Sequence, residues 1–348
     1  MRGKTMKIVK RISAVIISLP VAALLVSYIM SPTWAGEDIA IEKKLPYEAV
    51  CAHRGAAYLA PELTMPAFEI ARDLGADYIE TDVQRTKDGV LINYHDDDLK
   101  RTTNVEEVFP GRADDPVGSF TYAELKRLDA GSWFNEKNPD RARKGYEGIT
   151  IPTFEQYIDM ASEGSNRPGL LIELKKPENF PGIEKEIVAL LVKKGWLNAD
   201  HTVKELDPSG LGENSVKVGY GPNRVIFQSF DYDSLVRMKE IAPKVMRSYI
   251  VDEDTEKDLG GFEPILQRAR ENGSEISAVG YLGWPWYVGD VHDENKYLFV
   301  WTLDEGWHFY MFSFFGVDGV ITNRFQDYMA YTGRELSLPL DQVMARYD

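Results

Sequence analysis

The sequence predicts an α/β protein built as a (β/α)8 TIM barrel with a small insertion, preceded by an N-terminal signal or anchor segment. Three observations carry this expectation. Short apolar runs of buried-strand character alternate with helical patterns along most of the chain, as in parallel βαβ units. The 348 residues suit one barrel of roughly 250 residues plus extras. The first strand-like run is not followed by a glycine-rich phosphate loop, which counts against the alternative, an open doubly wound sheet.

The first 35 residues differ from the rest. Arg2, Lys4, Lys7, Lys10 and Arg11 form a basic cluster, and Ile12 to Met30 then run for 19 residues without a charge. Small residues at Thr33 and Ala35 complete a secretory pattern. The apolar run exceeds the roughly 7–15 residues of such signals and approaches the roughly 20 that span a bilayer. Cleavage near Ala35 and retention as an anchor both remain open, and either sends the rest of the chain out of the cytoplasm.

Residues 36–46 read as a short polar linker, 47–335 as the barrel and 336–348 as a C-terminal tail. Without the first 35 residues, 35 basic residues face 55 acidic ones, a formal charge of −20. Such a body does not favour nucleic acid or an anionic membrane surface, so membrane contact is expected only through the N-terminal segment. The lone cysteine, Cys51, excludes an internal disulfide and sits in an apolar run, as a packing residue would.

Strand-like runs lie at 48–53, 77–83, 90–95, 169–175, 224–229, 245–250, 276–280, 297–302 and 317–322. Helical patterns lie at 64–75, 153–162, 182–194, 231–242, 258–272 and 304–315. Nine strands are one more than a barrel needs. The turn chemistry of Lys87-Asp88-Gly89 makes the 83–95 region a hairpin-like extension. Residues 97–150, rich in Asp, Arg, Gly and Pro, form the insertion, and 198–222 form a second long loop.

Ionisable groups gather at the ends of these runs. The first ends in His53-Arg54-Gly55, and barrel enzymes keep their active sites at the C-terminal ends of strands. In the second, Glu80 and Asp82 are two apart and share a face. Two carboxylates on a buried strand repel unless a cation lies between them, and hard divalent cations take such oxygen ligands. The third run ends in His95-Asp96, and Glu173 and Lys175 share one face of the fourth. Singly, each has a plainer reading: a core histidine, an exposed edge, turn residues, a surface ion pair. All four being incidental on buried strands is harder to accept. Trp133, Phe134, Trp284, Trp286, Tyr287 and Trp301 read as core residues or as aromatics at loops and strand ends. Trp284-Pro285-Trp286-Tyr287, between Gly283 and Gly289, is expected to form a loop walling an alcohol site.

The motifs His53-Arg54-Gly55, Pro61-Glu62-x-Thr64, Glu80-x-Asp82, His95-Asp96, Arg101-Thr102-Thr103 and Glu173-Leu174-Lys175 resemble the glycerophosphodiester phosphodiesterases. So do Gln228-Ser229-Phe230, Val300-Trp301-Thr302 and Gly316-Val317-Asp318-Gly319, so the likeness covers about residues 48–330. Two positions depart: Leu63 stands where the family commonly has Asn, and Asn323 where it often has Asp. Neither removes a residue assigned to chemistry.

The resemblance implies a barrel with its insertion after His95. It implies one divalent cation held by Glu80, Asp82 and Glu173, Ca²⁺ being favoured and Mg²⁺ the alternative. His53 and His95 would be the acid–base pair, assigned as base and acid by analogy with the related phosphatidylinositol-specific phospholipases C. Arg54, Lys175 and Trp301 would bind substrate, and Glu62 would support the metal or its water ligands. The implied reaction is hydrolysis of a small or polymeric glycerophosphodiester to glycerol 3-phosphate and an alcohol. A related lyase ending at a cyclic phosphate and a catalytically dead surface-binding barrel are the other readings. Nothing in the sequence sets the oligomeric state.

Overall fold

A computed structural model describes residues 35–348 apart from residue 213. The basic cluster and apolar run of the N-terminal segment lie outside the described residues. Among the described residues, no helix is long and apolar enough to cross a membrane.

Among the described residues nine strands form: β1 (Ala49–Ala52), β2 (Tyr78–Arg85), β3 (Leu91–Asn93), β4 (Gly169–Leu174), β5 (Val225–Ser229), β6 (Met246–Val251), β7 (Ile276–Gly280), β8 (Tyr297–Trp301) and β9 (Gly319–Thr322). Eight are parallel, in the order β1-β9-β8-β7-β6-β5-β4-β2, and pairing of β1 with β2 closes the barrel. The ninth, β3, pairs antiparallel with β2 as the hairpin extension, with Val83 opposite Asn93. The open-sheet alternative is thereby removed.

The strands are buried on both faces, as apolar parallel strands inside a ring of helices must be. Cys51, Tyr78, Leu171, Ile226, Ile250 and Phe299 belong to the apolar cluster filling the barrel. Helix α1 (Gly36–Lys43) precedes β1, and the outward faces pack on the helices that follow: α2 (Met65–Leu74), α3 (Phe154–Ala161), α4 (Ile183–Lys193), α5 (Tyr232–Ile241), α6 (Glu253–Leu259), α7 (Phe262–Asn272), α8 (Pro285–Asp293), α9 (Gly306–Phe314), α10 (Phe325–Tyr331) and α11 (Leu340–Met344).

Several sequence expectations change. The supposed linker forms α1, and Ala40 and Leu45 join the interior cluster. Tyr297, at the start of β8, donates its hydroxyl to Pro46 O at 2.7 Å, so this segment closes the N-terminal end of the barrel. The supposed tail is packed: Val343 and Met344 are buried, Ser337 N bonds Leu74 O, and Arg346 pairs with Asp73 on α2. The pattern at 258–272 is two helices, because Gly260 and Gly261 both take positive φ, which breaks the helix at little steric cost.

Trp284-Pro285-Trp286-Tyr287 opens α8 instead of forming a loop. Proline is suited to a first helical turn, where its missing N–H satisfies nothing. The insertion is a chain of short helical turns over its own small core, including Leu99, Val105, Phe120 and Leu128.

Candidate active site

The C-terminal ends of β1, β2 and β4 bring the predicted groups together. On β2, Glu80, Asp82 and Gln84 recur every second residue, so the strand period turns all three to one side. Asp82 lies in register with Glu173 on β4. Glu80, Asp82 and Glu173, all buried, each offer an oxygen within 4.8 Å of the others.

The backbone after β1 turns sharply to face this cluster. Arg54 and Gly55 both have positive φ, and a Cβ at Gly55 would lie 2.8 Å from the Ala67 carbonyl carbon, so only glycine fits. The turn aims Arg54 N–H at Glu80 Oε2 (2.6 Å). Leu63, whose N–H bonds Arg54 O, also has positive φ (55°), a conformation that Asn tolerates better than a branched apolar residue. The family's usual Asn at this position therefore meets a backbone demand.

Two cations face the carboxylates. Lys175 Nζ is 2.8 Å from Glu173 Oε1 and 3.7 Å from Asp82 Oδ1, and Arg54 Nε is 3.6 Å from Asp82 Oδ2. Burial, then the Asp82 and Glu173 charges, push the Glu80 carboxyl well above the usual range. Burial also opposes ionisation of Asp82, but Lys175, His95 and Arg54 outweigh it and hold that carboxyl low.

The cluster fits a divalent cation. Both oxygens of Asp82 are buried without a hydrogen-bond partner, an arrangement that is costly unless another positive group meets them. All three donors are hard oxygens, as Ca²⁺ and Mg²⁺ require.

The histidines flank this cluster in unlike surroundings. His53 Nδ1 lies 2.8 Å from Asn323 Oδ1 at the end of β9, and its backbone N–H bonds Thr322 O. Burial and the Arg54 cation push its imidazole down to about 4, against smaller contributions from Asn323, Asp82 and Glu62. His95 Nδ1 lies 2.7 Å from Asp96 Oδ1. Burial disfavours the charged form of Asp96, yet its bonds from His95 and Arg101 hold it well below the usual range. An ionised Asp96 accepts only, so His95 Nδ1 donates.

The resemblance implied that Glu62 supports the metal or its water ligands. In the structure its oxygens are gripped by two arginines, Arg54 Nη1 (2.7 Å) and the Arg101 fork (2.8 and 2.6 Å), and it lies outside the acidic triad. Arg101 also bonds Asp96, so one network runs from Arg54 through Glu62, Arg101 and Asp96 to His95.

Besides Asn323, three further contributors were not foreseen. Arg101 belongs to the Arg101-Thr102-Thr103 motif, to which the resemblance gives no role. Gln84 donates to the carbonyls of Tyr94, His95 and Asp96 (2.9, 3.1 and 3.0 Å) and so holds the loop carrying His95. Its signal was the two-residue spacing after Asp82. Phe230 stands edge-on to Trp301 (5.6 Å), with Lys175 Nζ 5.5 Å from its ring. Trp301 thus lies at the mouth, its indole N–H on Ala278 O.

The other aromatics lie elsewhere. Tyr287 is buried against Phe262 and Ser277, and Trp284 packs on Trp286 and Phe315 in the outer layer, so this segment does not wall the mouth. Trp133 and Phe134 pack on each other in the insertion, and Phe134 meets Tyr146. Of the remaining histidines, His201 bonds Ile241 O, His308 lies among Tyr281, Trp307 and Phe312, and His292 is buried against Asp318 (3.0 Å).

Fold and site together define an enzyme: a closed parallel barrel whose mouth presents cations, two histidines and a cation-ready acidic cluster to an anionic substrate. The sequence profile of the glycerophosphoryl diester phosphodiesterase family matches residues 53–327. A glycerophosphodiester phosphodiesterase of Bacillus subtilis is 33% identical over 285 residues, covering 78% of this chain and 82% of that one. One from Caldanaerobacter subterraneus is 30% identical, covering 79% and 93%. A phosphodiesterase of Oleispira antarctica, solved with the product sn-glycerol-3-phosphate, superposes with a TM-score of 0.60 at 25% identity, covering 82% and 97%. The chain belongs to the glycerophosphoryl diester phosphodiesterase family.

Proposed function

We propose that this enzyme hydrolyses glycerophosphodiesters to glycerol 3-phosphate and an alcohol, with one divalent cation, Ca²⁺ favoured over Mg²⁺, and two histidines. The observation that carries the reading is the pair His53 and His95. Each is tied through Nδ1, which leaves Nε2 for chemistry, and they stand beside one acidic cluster.

Glu80, Asp82 and Glu173 would hold the cation, which supplies charge to a phosphoryl oxygen and orients the diester. Arg54 and Lys175 face the same space and neutralise the charge that builds on the nonbridging oxygens. His53 removes the proton from the attacking oxygen, and His95 gives one to the leaving oxygen. Their partners support this division. Asp96, an ionised carboxylate, can balance a positive ring, whereas the neutral amide of Asn323 cannot.

Beyond His95, a groove of about 640 Å³ is lined only by ionisable side chains, among them Asp97, Asp98, Lys100 and Lys176. Their charged ends can hydrogen-bond a polar alcohol. The N-terminal segment would export or tether the enzyme, so the substrate would be met outside the cytoplasm.

The test is release of glycerol 3-phosphate from a panel of glycerophosphodiesters and one glycerophosphate polymer, with and without chelator. Accumulation of a cyclic phosphate as the end product would favour the lyase. Absence of turnover on every substrate with added Ca²⁺ or Mg²⁺ would leave only a binding barrel.

A further inference from the structure

Asn323, which stands where the family often has Asp, touches His53. Its amide is fixed from behind. Asn323 Nδ2 donates to Asp304 Oδ2 (2.6 Å), while Asp304 Oδ1 accepts from Asn323 N–H (2.9 Å) and from Thr322 Oγ1 (3.1 Å). With Nδ2 used on Asp304, only the carbonyl oxygen Oδ1 can face His53, at 2.8 Å. A carbonyl oxygen accepts, so His53 Nδ1 must donate, and in the neutral ring Nε2 then carries no proton. The other charged groups facing this ring are Arg54, Asp82 and Glu62. The nearest carboxylate on the β9 side is Asp304, separated from the ring by the length of one amide.

We propose that Asp304 and Asn323 form a two-residue adaptor that holds His53 in the tautomer with a bare Nε2, making Asn323 a positioning residue and Asp304 the group that orients it. The proposal rests on the reading of His53 as the base. The order of the two residues is part of the device. A carboxylate at both positions would set two negative charges against each other. An amide at both would leave the side chain at position 323 free to flip and offer an N–H to the ring, which favours the proton on Nε2. Exchanging the two, Asp304→Asn with Asn323→Asp, rebuilds every bond. The amide now at position 304 donates to the carboxylate now at position 323, and that carboxylate accepts from His53 Nδ1.

The test has two arms on the full-length protein. Ring-¹⁵N-histidine labelling at pH 8 reads the tautomer directly, and the His53 signal is the one of five that disappears in His53→Gln. The expected spectrum has Nδ1 protonated and Nε2 bare. Each single exchange is expected to lower kcat more than it raises KM, by between about 10-fold and the 10⁴-fold seen when a catalytic ring is held in the wrong tautomer. The double exchange is expected to recover most of the loss. A wild-type ring protonated at Nε2, or a double variant no better than the poorer single, overturns the adaptor. The wild-type spectrum needs no variant, so misfolding of the exchanges cannot shelter the proposal. Normal turnover by His53→Gln would instead remove the base reading.

Discussion

Arg101 grips both oxygens of Glu62, with Nη1 on Oε2 at 2.8 Å and Nη2 on Oε1 at 2.6 Å. The same guanidinium reaches Asp96 through Nε and Nη2. The two residues are 39 positions apart, and this fork ties the Arg54 turn after β1 to the His95 loop after β3. Burial opposes the charge on Glu62, but Arg101 and Arg54 hold its carboxyl down at about 2. Glu62 therefore stays ionised across the working range and acts as the pin between two arginines.

Arg101→Lys keeps the charge and removes the fork, so it is not a conservative change here. The loss expected is about 10- to 100-fold in kcat/KM, the scale for disturbing the support of a site. It should appear mainly in kcat, because the His95 partner is displaced. Steady-state kinetics on a glycerophosphodiester checks this, and an unchanged kcat would remove the positioning role of the network.

Chelation should abolish turnover, and Ca²⁺ or Mg²⁺ should restore it. An ion bound only to the folded state at 100 times its Kd adds about 2.7 kcal/mol of stability, so the metal-free protein should also melt earlier. Asp82→Asn should remove both the reactivation and the metal-dependent shift in melting. Full activity in a metal-free preparation would refute the reading.

Replacing His53 or His95 by Ala should each lower turnover by about 10² to 10⁴, the usual contribution of a placed acid or base. On a nitrophenyl diester the His95→Ala loss should shrink, because that leaving oxygen needs no proton, while the His53→Ala loss should persist. Rescue of the His53 variant alone would reverse the roles.

The base must be neutral, and His53 is pushed down to about 4 from its ordinary 6.5. The acid limb of kcat/KM should therefore lie well below pH 6.5, with activity falling as pH drops towards 4. The sign for stability is the same. The unfolded chain binds the proton near 6.5 while the folded one resists it until about 4, so this group costs stability as pH falls through that interval. A kcat/KM profile at fixed metal and melting curves across that interval measure both.

His292 and Asp318 form a buried pair, and Asp318 Oδ2 also accepts from Leu298 N at 2.7 Å. Burial raises the Asp318 carboxyl, and His292 opposes the rise. Breaking a buried pair from one side costs roughly 3–5 kcal/mol. His292→Ala should lower the melting temperature strongly and leave kcat of the folded enzyme unchanged, the reverse of His53→Ala. A loss of kcat in fully folded His292→Ala would place this histidine in the chemistry.

The sequence by itself determined the strand succession and the make-up of the site. Short apolar runs marked all nine strands of the described residues, because a strand buried on both faces is mostly apolar except where it carries the site. The two-residue period placed Glu80 beside Asp82, and Glu173 beside Lys175, before any fold was known. Local pattern was misleading where a packed partner was needed to justify an element. The segment that became α1 looked polar until Ala40 and Leu45 closed the barrel floor, and 336–348 looked loose until Arg346 met Asp73. Pro285 read as a loop marker because its place at the start of a helix depends on how the chain enters from β7.

Only the tertiary structure decided the second layer of the site. Asn323 meets a histidine 270 positions away, and Glu62 meets Arg101 across 39. A hydrogen bond needs two groups within about 3 Å, and closing the barrel sets that distance between strand ends that are remote in the chain. The sequence supplied the groups that act on substrate, and barrel closure decided which neighbours orient them.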